Sequence, residues 1–169
     1  MGQSSNSFSV RIHPGQLRFS AAHFITFGGI CENLHGHNFH VRIDAHGDNN
    51  IDGFVVDFVE LTRCAAAICD TLHDRILLPD QSSEVLLERA DGLIYVSSHG
   101  KRFAFPEENC AVLPIVNATA EILAHYIADS VIERLRSSTT LDHVRELEVA
   151  VEEADQQWGI CRMRIGDED

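Results

Sequence analysis

The residue pattern predicts an α+β domain: an antiparallel sheet with two helices packed on one face. Three observations carry that expectation. Segments near both ends alternate apolar and polar residues, two internal segments switch to helical spacing, and their order is strand, strand, helix, hairpin, helix, strand.

The first seven residues, "MGQSSNS", are small and polar and read as a loose tail, with a single domain over 8–169. From Phe8, "FSVRI" alternates as a strand, "HPG" bends it, and "LRFSAAHFI" resumes with Leu17, Phe19, Ala21 and His23 on one parity. In "HNFHVRIDAHG" Phe39, Val41, Ile43 and Ala45 alternate with His40, Arg42, Asp44 and His46, which predicts a second strand whose polar face is solvated. "DFVELTRCAAAICDTL" then returns Phe58, Leu61, Ala65, Ile68 and Leu72 at helical intervals, with capping-box spacing at Asp57 and Glu60. An insert over about 80–116 holds a hairpin turning at "HGKR". The second helix opens at the capping candidates Asn117 and Thr119 and carries Leu123, Ile127, Val131 and Leu135. In the closing strand "VRELEVAVEEA", Glu153 falls on the parity of Val149 and Val151, and "WGICRMRI" adds one strand more.

A length of 169 residues and 44% hydrophobic content suit one core. The net charge of −13, from 26 acidic and 13 basic residues, excludes a broad nucleic-acid or anionic-membrane surface. Five cysteines at irregular spacing, with no CxxC pair, fit a reducing cytoplasm, and no apolar run is long enough to span a bilayer. Cys64, Cys69, Cys110 and Cys161 read as small core residues.

The chemistry concentrates in "CENLHGHNFH". His35 and His37 stand two apart in an extended segment and project the same way, so they can share one ion. His23, at the end of a strand expected to pair with theirs, is the candidate third ligand. Three neutral imidazoles suit Zn²⁺ and leave a fourth position for water or substrate. A thiol near such an ion and its histidines has the means to act as a base, which singles out Cys31. Glu153 points inward on the parity of Val149 and Val151.

These motifs resemble the family of 6-pyruvoyl-tetrahydropterin and 6-carboxy-tetrahydropterin synthases, whose fold is the T-fold. "FSAAH", "CENLHGH", "GFVVDF", "NATAEILA" and "VAVEE" match the family's segments in order, from about Phe19 to Glu153. The resemblance implies zinc on His23, His35 and His37, Cys31 as the catalytic thiol, and Glu153 with Thr119 as substrate contacts. It implies a pterin substrate, 7,8-dihydroneopterin triphosphate, and a trimer or hexamer that closes sheets into a barrel with the site between subunits. The family's Asp-His pair, which completes the thiol's relay, reads here in reverse order as His73 and Asp74. That reversal leaves room for altered side-chain cleavage of aldolase type, or for a zinc- and pterin-binding protein without catalysis.

Overall fold

The computed structural model describes residues 7–139 and 141–166. The expected tail over 1–7 lies almost wholly outside the described residues. In chain order the strands and helices are β1 (Phe8–Ile12), β2 (Arg18–His23), β3 (Thr26–Phe27), β4 (Ile30–Cys31), β5 (His35–Gly47), α1 (Phe58–Leu72), β6 (Arg75–Pro79) and β7 (Leu86–Ala90). There follow β8 (Leu93–Ser98), β9 (Lys101–Pro106), β10 (Cys110–Leu113), α2 (Ala120–Ser138), β11 (Val144–Ala154) and β12 (Gln157–Arg164).

β5 is the spine. Its N-terminal half pairs with β2 (His35 opposite His23, Phe39 opposite Phe19), its C-terminal half pairs with β1, and β11 runs antiparallel along its other edge. One seven-stranded sheet results, in the order β10-β6-β2-β5-β11-β12 with β1 beside β5. It corrects the purely antiparallel expectation, because β6 runs parallel to both β2 and β10. The α1 crossover between β5 and β6 makes that direction available, as parallel neighbours require a long connection.

The odd-numbered side chains of β5 fill the core: Phe39, Val41 and Ile43 are buried, and Phe39 stacks on Phe19 with ring centroids 4.8 Å apart. Each such burial contributes about 2–3 kcal/mol. α1 sets Leu61, Cys64, Ala65, Ile68, Cys69 and Leu72 against that face, and Asp57 caps it by accepting from the backbone N–H of Val59 and Glu60. Phe58, expected on the buried stripe, is 57% exposed because it precedes the turn that meets the sheet. Glu60 does not reach back as a capping box would, and binds Arg63 at 2.6 and 2.8 Å. α2 buries Leu123, Ile127, Val131 and Leu135 as its spacing predicts. Its first turn is crossed so closely by β12 that a Cβ on Gly159 would lie 2.3 Å from the backbone N of Glu121.

On the other face of the sheet, Asp44 departs from the solvated position expected of it. It is 1% exposed and bound by Arg11 and Arg42, and Arg42 and Arg162 in turn bind Glu148. Burial pushes the Glu148 carboxyl up, but Arg162 and Arg42 outweigh it and hold the group below its ordinary value.

The insert holds the expected hairpin at "HGKR" as β8–β9, β7 extends it to a three-stranded antiparallel sheet, and β10 returns to the main sheet beside β6. Both of its turns, at Asp91-Gly92 and His99-Gly100, place two consecutive residues at positive φ, the geometry that matches strand twist in a two-residue loop. Its inner face, through Ile94, Val96, Phe103 and Phe105, packs with Phe24, Cys31 and Leu78 in a second apolar cluster. Of the four cysteines read as core, Cys64 and Cys69 are buried, whereas Cys110 and Cys161 are only half-buried.

Candidate metal centre

Pairing of β2 with β5 puts His23 directly opposite His35 and Ala21 opposite His37. The three rings therefore stand on the face that carries Phe19 and Phe39, at its open end, with centroids 4.6 Å (His23 to His35), 5.0 Å (His35 to His37) and 5.3 Å (His23 to His37) apart. β11 delivers Glu153 from the neighbouring side of β5. A bulge between Glu152 and Ala154 turns two consecutive glutamates to different tasks. Glu152 faces His40 at 3.3 Å, while Glu153 Oε1 lies 3.0 Å from His23 Nε2 and 3.8 Å from His37 Nε2. One donor atom from each of His23, His35, His37 and Glu153 falls within 4.8 Å of the others.

Backbone carbonyls fix the tautomers. His23 Nδ1 donates to Ala118 O and His35 Nδ1 donates to Asn33 O, each at 2.8 Å. A carbonyl only accepts, so each Nδ1 carries the hydrogen and each Nε2 of the neutral ring turns a lone pair inward. His23 is fully buried, and burial pushes its pKa down. The Ala118 carbonyl and Glu153 oppose that shift, and His35 and His37 reinforce it. The consequence is an unsatisfied pair: His23 Nε2 has no hydrogen-bond partner, and the atom beside it is a carboxylate oxygen, also an acceptor. Two acceptors 3.0 Å apart repel unless a positive charge sits between them. A divalent cation fits this donor set of imidazole nitrogens and one carboxylate oxygen.

The remaining sequence candidates are placed apart. Cys31 borders a depression with Glu32, Asn33 and His35, but its thiol is 3% exposed and donates to Glu32 O at 3.5 Å. His73 ends α1 and accepts the Ser20 N–H at Nδ1 (3.1 Å), while Asp74, at positive φ, donates its own N–H to Ser20 O (2.7 Å). The pair thus clamps β2, its two side chains 3.7 Å apart and mostly in solvent. Among the described residues neither is hydrogen-bonded to Cys31, so one protomer does not assemble the three. Thr119 caps α2 by accepting from Ile122 N, one residue after the carbonyl that orients His23. Sequence reading did not anticipate the orienting carbonyls of Ala118 and Asn33, and Asn117, expected as a capping candidate, leaves the cap to Thr119 and instead binds both backbone groups of Thr26, pinning the strand after His23. Backbone acceptors leave no residue-type signal, although a polar Asn beside a helix cap was visible.

The family model of 6-pyruvoyl tetrahydropterin synthase matches residues 15–164. The chain belongs to that family. A protein of Methanocaldococcus jannaschii, provisionally named a 6-carboxy-5,6,7,8-tetrahydropterin synthase, is 33% identical over 151 residues, covering 89% of this chain and 91% of its own length. Among solved structures, the 6-pyruvoyl tetrahydropterin synthase of Plasmodium vivax superposes with a TM-score of 0.89 at 27% identity, over 95% of this chain and 100% of that one. The Plasmodium falciparum 6-pyruvoyl tetrahydropterin synthase gives 0.86 at 30% identity over the same shares. The T-fold is therefore common to this chain and the two Plasmodium synthases.

Proposed function

We propose that this member of the family is a zinc-dependent lyase acting on 7,8-dihydroneopterin triphosphate, with 6-carboxy- or 6-pyruvoyl-tetrahydropterin as product. The observation that carries the reading is the bare lone pair of His23 Nε2 facing Glu153 beside His35 and His37. Zinc held by the three imidazoles would polarise a side-chain oxygen of the substrate and so ease departure of the proton on the adjacent carbon. The chain's own groups do the rest. Cys31 takes that proton as thiolate. Glu153 accepts from the amino-pyrimidine edge and sets the ring's orientation. Thr119 retains a free hydroxyl hydrogen for the substrate, because its oxygen only accepts within the cap.

His73 and Asp74 relay the proton onward in this reading, and their separation from Cys31 within one chain supports a site completed by a neighbouring subunit in a trimer or hexamer. The reading places the enzyme in the cytoplasm, in keeping with its five free cysteines. Incubating zinc-loaded protein with 7,8-dihydroneopterin triphosphate and identifying products by mass tests it. Either named product supports the assignment and selects between the two; no turnover with zinc fully loaded overturns it. Replacing Cys31 by Ala should lower kcat about 10²–10⁴-fold and leave zinc content unchanged. The reversed order of His73 and Asp74 favours a second reading, retro-aldol cleavage of the side chain in the same pocket, which the product mass would also reveal.

A further inference from the structure

Lys101 is the only lysine in a chain with 26 acidic residues, and the insert brings it to the edge of the histidine centre. It opens β9 directly after the tight turn at His99 and Gly100, opposite Ser98 in the ladder. Alternation along β9 puts it on the side of Phe103 and Phe105, the side that packs toward Cys31. Its Nζ donates to Asn33 Oδ1 at 2.6 Å, and Asn33 is the residue whose carbonyl holds His35. The ammonium thereby stands with Cys31, Glu32, Asn33 and His35 around an open depression of about 530 Å³. Among the described residues it makes no ion pair, and Glu32 lies beyond ion-pair distance. A second, independent feature adjoins it. Lys101 also borders a cavity of about 480 Å³ with Ser98, His99, Arg102 and Glu84, whose carboxylate faces His99 at 3.4 Å, and there Ser98, 4% exposed, has a hydroxyl without any hydrogen-bond partner.

We propose that Lys101, with the Ser98 hydroxyl behind it, recognises the phosphate-bearing tail of the ligand whose other end lies at the histidine centre. A compact ammonium with spare donors and an unpartnered hydroxyl are what anionic oxygens require, and among the described residues no carboxylate pairs with this cation. The role of the insert follows: it carries an anion-recognising group to a site that the main sheet builds without one on this side. Arg75 is the rival cation. It lines another depression with Asp74, Gly36 and His37, on the far side of the centre from Lys101, and so is tested beside it.

This inference rests on the reading of the site as one for a phosphorylated pterin, but its test needs no turnover. Magnesium triphosphate is titrated into zinc-loaded protein by calorimetry, with zinc content verified afterwards. Lys101→Met should weaken binding about tenfold or more and Lys101→Arg should recover most of it, while affinity for 7,8-dihydroneopterin, which has no phosphate, stays unchanged. Because Lys101 is the sole lysine, acylation mapped by mass spectrometry gives a second readout, and triphosphate should slow it. Unchanged triphosphate affinity in Lys101→Met, acylation indifferent to triphosphate, or a loss found only in Arg75→Met would overturn the proposal. Lysine-dependent triphosphate binding without turnover would sink the proposed reaction alone, and turnover with lysine-independent binding would sink this inference alone.

Discussion

Glu153 Oε1 stands 3.0 Å from His23 Nε2, with the other nitrogen of that ring held by a carbonyl of the loop before α2. An acceptor facing an acceptor in a buried place is stable only with positive charge between them, so metal content is the first property to measure. Elemental analysis of purified protein should find one divalent ion per chain. Replacing His35 by Ala should lower affinity by more than the roughly 10–100-fold expected for losing a mere supporting partner.

Stability of the metal-free protein should depend on pH between neutrality and mild acid. The folded pKa of His23 is depressed below 6.5. In that window the unfolded chain binds a proton that the folded chain refuses, so stability is present above about pH 6.5 and falls as the pH drops. The carboxylates act lower down: Arg63 holds Glu60 at about 2. Melting temperatures of metal-free protein from pH 7.5 to 5 should decline, and His23→Gln should flatten that slope.

Glu153→Gln separates ring binding from metal binding. If the carboxylate serves the pterin, the variant keeps its ion and loses at least about tenfold in pterin affinity, the worth of a charged hydrogen bond. Loss of the ion, measured by the same elemental analysis, would instead make Glu153 the fourth ligand.

Asp44→Ala removes the centre of the ion ladder that ties β1 to β5. Arg11 is half in solvent and can rehydrate, so the cost should fall below the 3–5 kcal/mol typical of a fully buried pair, at about 1–2 kcal/mol. Urea denaturation reads it, and metal content should not change.

Period-two alternation was enough to read the histidine cluster. His23, His35 and His37 share a parity with Phe19 and Phe39, and antiparallel pairing of their strands then has few registers that keep the phenylalanines inside. Glu153 followed from parity in the same way, though the bulge that separates it from Glu152 did not. Asp44 was misjudged because its cover comes from arginines on other strands, which periodicity within one strand cannot reveal. The parallel direction of β6 was hidden in the five residues "RILLP", which pair equally well either way. The first turn of the insert was legible, since Asp91-Gly92 is a strong hairpin signal, yet only the second was read. The place of Lys101 depends on how the insert docks, a tertiary fact with no local trace.

Position 159 governs the centre from a distance. With β12 pressed on the opening turn of α2, exchanging one hydrogen of Gly159 for a methyl group would force Ala120 and Glu121 aside, and Ala118 would be carried along with them. The oxygen that decides which nitrogen of His23 stays bare would then shift. Selectivity among ions is thus exposed to change from a strand that touches no ligand, and libraries meant to retune this protein should include its glycine there.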